Sequence, residues 1–373
     1  MQFHEQTVLS KGLKLYMKWA NPSRSKTTVL FLHGFPDDHE TWSNQLEALS
    51  KKYRVAALEM RGVNRSERPA RGKSYAVRNI LPDISRTIEA LGGDRVHLIG
   101  HDWGSMIGWC YATDPIYSQN LLSYQGMSAP HPGTILTYMG DKLKKFDLGP
   151  LGRQLLKSWY VWYFQLPFIP EFSIRRLSPV WRGRLLQKGG MTADDPLVLK
   201  SKEEFAAITT GSVNLYRQLL RRRPAKPEAP TIPTQQIIPS ADLFVSTELY
   251  HGQARLLSGS NYREVPVDGP HWIHRTNPEL INEIFIAFIE EQERKARGKL
   301  KGVSAGRQTS KKKTSQNQGR GPSSKDSKRS IQSSRNGKSS KKTQKKRAST
   351  GSKKPGTRVA SGSSRTAKKK PAR

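Results

Sequence analysis

Val96-His97-Leu98-Ile99-Gly100-His101-Asp102-Trp103-Gly104-Ser105 is an apolar run that ends in a small residue, a polar pair, an aromatic and a second glycine. Met106-Ile107-Gly108-Trp109 then begins a helical pattern. The order is strand, sharp turn, helix, the form of a nucleophile elbow, in which small residues flank a nucleophile on a strained turn at the top of a parallel sheet. The central position, usually serine, is Asp102. A helix-capping aspartate would produce the same five residues, so the decision rests on what surrounds them.

Outward from the elbow, strands and helices alternate. Leu13–Trp19, Thr27–Leu32 and Arg54–Leu58 read as strands before it, with helices over Trp42–Leu49 and Asp83–Leu91. Thr27–Leu32 is continuously apolar, as a strand buried on both faces should be. After a strand at Leu121–Gln125 the alternation stops. About ninety residues follow with helical spacing and many aromatic and basic side chains, including Trp159-Tyr160-Val161-Trp162-Tyr163-Phe164, Phe172–Leu186 and Glu203–Arg223. Alternation resumes with strands at Gln235–Ile238 and Tyr262–Val267 and helices at Thr247–Leu257 and Pro278–Glu291. The fold class is therefore α/β, a mostly parallel sheet covered on both faces, with an inserted helical lid over the carboxyl ends of the strands, where such sheets keep their sites.

Charge divides the chain. Residues 294–373 hold 28 Lys and Arg against one acid, Asp326, a net of +27; the whole chain carries +34, which leaves +7 for residues 1–293. This last stretch has no aromatic residue and few aliphatic ones, so it cannot bury enough surface to offset its chain entropy and is expected to be a disordered basic C-terminal tail. The expected divisions are core at 1–132 and 229–293, lid at 133–228 and tail at 294–373. A single cysteine, Cys110, leaves no internal disulfide and no cysteine-based zinc site. Neither a secretory signal nor an apolar run long enough to span a bilayer is visible, so a cytoplasmic protein is expected.

Two further positions complete a constellation. Pro239-Ser240-Ala241-Asp242 sets a carboxylate just past a strand, and Gly269-Pro270-His271-Trp272 sets a histidine after the last one. Nucleophile, acid, histidine is the chain order of an α/β-hydrolase triad. An exposed aspartate is ionised at neutral pH and attacks an sp³ carbon without a base, forming an alkyl ester. His271, oriented by Asp242, would then activate water against that ester, with the backbone N–H groups of Phe35 and Trp103 as oxyanion donors. His274 is the rival base and Asp268 the rival acid.

His33-Gly34-Phe35-Pro36-Asp37, Arg61-Gly62 to Ser66, the elbow and Gly269-Pro270-His271-Trp272 together resemble the epoxide hydrolases of the α/β-hydrolase superfamily, over roughly residues 5–290. The resemblance implies the α/β-hydrolase fold, a small apolar epoxide and water as reactants, no cofactor and no metal. It also implies a cis peptide at Pro36 and two lid tyrosines that hydrogen-bond the epoxide oxygen. Tyr160-Val161-Trp162-Tyr163-Phe164-Gln165 nominates Tyr160, with Tyr163 its rival, and Asn214-Leu215-Tyr216-Arg217 nominates Tyr216. His33, Pro36, His101, Trp159 and Tyr163 are candidates for the pocket wall, His33 and His101 also being candidates for plain structural roles. The aromatic cluster Trp159–Phe168 reads as lid core and pocket wall, with contact to a membrane surface as its other reading.

This sequence departs from the family's pattern at Glu59, at Val63-Asn64-Arg65 and at Arg275-Thr276; Arg65 and Arg275 bear on the mouth of the site. The alternative activity is haloalkane dehalogenation by the same aspartate, which the tyrosine pair and Phe35 disfavour. A different class of function is non-specific binding of nucleic acid, or equally of an anionic membrane surface, by the lysine runs of residues 294–373.

Overall fold

The computed structural model describes residues 2–316 except 223, 225, 226, 258 and 260. Eight strands form one sheet in the order β1-β2-β4-β3-β5-β6-β7-β8: β1 (His4–Ser10), β2 (Leu13–Ala20), β3 (Thr28–Leu32), β4 (Arg54–Leu58), β5 (Val96–His101), β6 (Leu121–Met127), β7 (Thr234–Pro239) and β8 (Tyr262–Val267). β1 and β2 join antiparallel, and every pair from β4 to β8 is parallel. β3 and β5, in the middle, are buried at every position. Ridges of apolar side chains cover both faces. Leu30, Leu98, Ile107 and Ile84 belong to one core, and Phe31, Ile99, Trp42 and Phe285 to the other.

The helices that matter for the site are α1 (Ser43–Ser50), α2 (Val77–Ala90) and α3 (Trp103–Ala112), followed by a block between β6 and β7. That block comprises α4 (Pro132–Lys144), α5 (Leu148–Lys157), α6 (Trp159–Tyr163), α7 (Ile169–Arg176), α8 (Ser178–Trp181), α9 (Pro196–Leu199) and α10 (Lys202–Arg221). It is the inserted helical lid. α11 (Tyr250–Leu257), α12 (Ile273–Thr276) and α13 (Pro278–Gln316) complete the chain as described. Residues Met1–Lys311 form one compact unit.

Lid and core are tied by charge and by backbone. Arg275 is paired with Asp195, Lys200 with Glu40 and Arg153 with Glu248. Gln154, on α5, donates to Phe244 O and accepts from Ser246 N, so a lid helix braces the loop after β7.

Several elements differ from expectation. β1 was not foreseen: its sequence, HEQTVLS, is mostly exposed because it is an edge strand, and an edge strand lacks the alternation that marks a half-buried one. α2 begins six residues before Asp83 and carries Pro82 within it. Burial of Ile80, Leu81, Ile84 and Ile88 on one face outweighs the cost, about 3 kcal/mol, of an internal proline. The single helix expected over Phe172–Leu186 is broken into α7, α8 and a wide turn at Arg182–Gln187. The last helix does not end at Glu291. It continues to Gln316, through the first part of the segment expected to be disordered, where no proline interrupts a run rich in good helix formers. The rest of that expectation, residues 317–373, lies outside the described residues.

Candidate active site

β5 passes into α3 through Asp102, whose backbone stands at φ 52° and ψ −116°. Such a conformation costs an L-residue of order 1–3 kcal/mol and persists only where its surroundings enforce it. Here close packing enforces it. A Cβ on Gly100 would lie 2.3 Å from Gly104 O, and one on Gly104 2.2 Å from Leu32 O. The two flanking glycines therefore let the helix start sit directly on the ends of β3 and β5.

The turn aims the Asp102 carboxylate at two partners. Oδ1 accepts from Phe35 N at 2.9 Å, and Oδ2 lies 3.8 Å from His271 Nε2. Trp103 N also donates to the carboxylate. The second of these distances is beyond a direct hydrogen bond. His271 Nδ1 is 2.7 Å from Asp242 Oδ2, while Asp242 Oδ1 accepts from the N–H groups of Phe244 and Val245 at 2.7 and 3.0 Å. Asp242 is thus fixed by its own loop and presents one oxygen to the imidazole.

Burial raises the Asp102 carboxyl above its usual range, and His271 and the N–H donors of Phe35 and Trp103 pull it back. The expectation of an exposed nucleophile is corrected: Asp102 is 8% exposed. Its ionisation depends on those three neighbours rather than on water. For His271, burial alone would lower the pKa, but the charge and hydrogen bond of Asp242, with the charge of Asp102, outweigh it and leave the imidazole raised.

Above the carboxylate, Tyr160 on α6 and Tyr216 on α10 meet edge to face with ring centroids 5.7 Å apart. Burial and then the charge of Asp102 raise both phenols, so both stay protonated. Phe35, Pro36, Leu185, Phe244 and Trp272 close the pocket, whose free volume of about 10 Å³ is about that of one water. The Phe35–Pro36 peptide is cis. Phe244 and Trp272 were not foreseen as walls. Phe244 stands edge-on to His271 at 5.0 Å, a contact set by the loop after β7 that no local pattern encodes.

The other candidates lie elsewhere. Trp159 is 51% exposed and stacks on Trp181, and the Tyr163 hydroxyl donates to Ser173 Oγ at 2.6 Å. Neither lines the pocket. On a five-residue helix only one direction faces inward, and Tyr160 occupies it. His33 supports the oxyanion loop from behind: Nε2 accepts from Met60 N, and Nδ1 lies 2.9 Å from Gly34 O. His101 donates from Nε2 to His271 O and packs on His274. His274 bonds to Thr41 Oγ1 at 2.8 Å, and Asp268 is an exposed acceptor for Ser240. Asp37, His101 and His274 each bring one ligating atom within 4.8 Å of the others. Their bonds to Trp272, Thr41 and His271 O make them a buried polar brace behind the imidazole. Arg65 is held over Tyr16 by Glu5, and Arg275 is held by Asp195, so neither guanidinium lines the pocket. Glu59 binds His39 and Arg65 N as a loop anchor.

This geometry is that of an aspartate-nucleophile hydrolase, and comparison with known proteins agrees. A family model for the alpha/beta hydrolase fold matches residues 27–147. The AB hydrolase superfamily protein YfhM of Bacillus subtilis (strain 168) is 30% identical over 294 residues, 77% of this chain and 98% of that protein. The chain belongs to the α/β-hydrolase superfamily, in its epoxide-hydrolase branch. Epoxide hydrolase 4 of Mus musculus is 28% identical over 77% of this chain and 79% of its own. The crystal structure of an epoxide hydrolase from Bacillus megaterium with an inhibitor superposes with a TM-score of 0.61 at 26% identity, covering 76% of this chain and all of that one. No helix among the described residues is long and apolar enough to cross a membrane.

Proposed function

We propose that this α/β-hydrolase opens an apolar epoxide to a vicinal diol through an ester on Asp102. The carboxylate attacks a ring carbon and the C–O bond breaks as Tyr160 and Tyr216 donate to the departing oxygen. His271 then takes a proton from water, and the hydroxide adds to the carboxyl carbon of Asp102. The N–H groups of Phe35 and Trp103 hold the oxyanion. Collapse expels the second diol oxygen as an alkoxide, which takes the imidazolium's proton, and the proton of the added hydroxyl passes from the carboxyl to the oxygen freed by ring opening or to the tyrosine that protonated it, restoring the carboxylate.

The observation that carries this reading is the division of labour between the two oxygens of Asp102. One rests on Phe35 N, where an oxyanion would form, and the other faces His271. The phenol pair above favours an epoxide over a haloalkane, because a halide needs no proton. Asp102→Ala should abolish turnover, while His271→Gln should accumulate an ester detectable by mass spectrometry. In a single turnover in heavy-oxygen water the first diol should carry unlabelled oxygen from the enzyme. Label in that first product would mean direct attack by water and would overturn the mechanism.

We further propose that residues 294–373 tether the enzyme in the cytoplasm to polyanions, nucleic acid or anionic membrane, without sequence reading. A net charge of +27 supports this, and the absence of aromatic residues argues against base stacking. Removing residues 317–373 should sharply weaken low-salt retention on DNA, and on vesicles should leave only the part that the folded region supplies. Unchanged retention on both would refute the tether.

A further inference from the structure

Of nineteen exposed large apolar side chains among the described residues, fourteen lie between Leu136 and Val180. Single exposed apolar side chains are ordinary on any surface, but fourteen in one stretch of the lid is a concentration that contact with water alone does not explain. The two most exposed, Phe146 at 85% and Phe168 at 84%, both sit at positive φ, 55° and 62°. Bulky residues rarely adopt that backbone, and here it belongs to the two rings most fully presented to solvent.

The face is continuous with the roof of the pocket. α6 turns Tyr160 inward and Trp159 and Trp162 outward. Tyr163 locks α6 to α7 through Ser173, and α7 exposes Ile169 and Phe172 beside Phe168. Charge identifies the occupant. From Leu136 to Lys188 there are ten Lys and Arg and three acids, a net of +7, which equals the net of all residues 1–293 and leaves the rest of that region neutral. Arg175 and Arg176 are exposed within the face, and Arg176 lies over the Phe172 ring. Aromatic and aliphatic side chains flanked by cations suit the boundary between headgroups and acyl chains of an anionic bilayer. A second copy would bring the same excess of cations, Arg175 and Arg176 among them, against itself.

We propose that this outer face of the lid docks on anionic lipid, with Trp159, Trp162, Phe168 and Phe172 entering the acyl boundary. The lid then stands between the bilayer and the Asp102 pocket. This surface is separate from the basic C-terminal segment, which has no tryptophan, and tryptophan fluorescence therefore tells the two apart.

The test uses the full-length chain with vesicles of phosphatidylcholine and phosphatidylserine whose acyl chains are brominated, at a salt concentration that releases purely electrostatic contacts. Bromine on acyl chains should quench wild-type fluorescence through Trp159 and Trp162. Phe168→Ser with Phe172→Ser, two exposed positions outside the pocket, should lower vesicle affinity about tenfold or more and remove most of the quenching. In a parallel measurement at low salt, where headgroup charge is unscreened, brominated phosphatidylcholine alone should quench far less. An unquenched wild-type protein, or equal quenching in the double variant, would overturn the proposal. So would a wild-type dimer in lipid-free solution that the double variant dissolves, since the face would then close on a second copy.

Discussion

Gly34→Ala tests the oxyanion geometry at one atom. A Cβ built on Gly34 would lie 2.5 Å from Asp102 Cβ, 2.8 Å from Asp102 Oδ1 and 3.0 Å from His101 O. Ordinary contact begins near 3.4 Å, so the nearest overlap is about 0.9 Å. The neighbours are a backbone carbonyl and a short side chain on an already strained turn, neither of which swings aside as the end of a long side chain would. Either the Phe35 loop or the carboxylate must retreat, breaking the 2.9 Å bond from Phe35 N to Oδ1. A displacement near 1 Å costs about 10²-fold in rate, and loss of one oxyanion donor costs about 10²–10³. Overpacking adds a stability loss of about 1–3 kcal/mol. Single-turnover mixing should show both ester formation and ester hydrolysis slowed by about 10²-fold or more, with a lowered but cooperative melting transition. If Gly34→Ala retains both rates within threefold of wild type, Phe35 N is not the oxyanion donor and the contact of this loop with Asp102 is merely structural.

Other substitutions separate the remaining roles. Asp242→Asn should slow ester hydrolysis by about 10⁴-fold while sparing ester formation. Because Asp242 raises His271 and the base must be neutral, the residual activity should lose its acid limb at a lower pH than wild type, measured as the pH profile of hydrolysis. Tyr160→Phe and Tyr216→Phe should each cost about 10²-fold in ester formation with an epoxide, and far less with a haloalkane probe, read as a pre-steady-state burst. Asp83→Ala should destabilise by about 3–5 kcal/mol in thermal melting, because it strands buried Arg61, which donates to Asp83 at 2.6 and 2.8 Å. Turnover should survive in that variant below its melting temperature.

The sequence revealed what has a local signature. The elbow was readable because Gly100 and Gly104 must be small wherever a helix starts on strand ends, and the triad because its members follow the ends of β5, β7 and β8. Runs such as Thr28–Leu32 and Arg54–Leu58 announced a doubly covered sheet in the same way. Lid geometry was less readable. In Trp159–Tyr163 five consecutive residues include four aromatic rings, and a helix shorter than two turns has too little period to say which one faces down. Packing against Tyr216 of α10 and Phe244 of the loop after β7 decides for Tyr160. Nor did any pattern mark the brace of Asp37, Thr41 and His274, whose members lie 233 positions apart at the Thr41 to His274 bond. The environment of Asp102 was misjudged for a related reason. A residue at a loop tip is exposed by default, and the groups that bury this one, the lid tyrosines with Phe35, Phe244 and His271, are remote in sequence.

That burial bears on why the chemistry runs in two steps. With free volume for about one water, the space beside Asp102 takes an epoxide only as the surrounding side chains, Tyr160, Leu185 and Tyr216 among them, give way. An epoxide that seats against the carboxylate therefore displaces water from the Asp102 side and meets a nucleophile whose charge is held by protein donors rather than solvent. Once the ring opens, the substrate carbon is bonded to Asp102 and the electrophile becomes the carboxyl carbon, already flanked by Phe35 N on one side and by His271 on the other. The only new reactant is a single water, which has to reach the His271 side of the ester. Widening the pocket by Leu185→Ala should admit solvent during the first step. Any leak to direct attack would then appear as heavy-oxygen label in the first diol of that variant, and its absence would mean that alignment of the carboxylate, not exclusion of water, enforces the order of events.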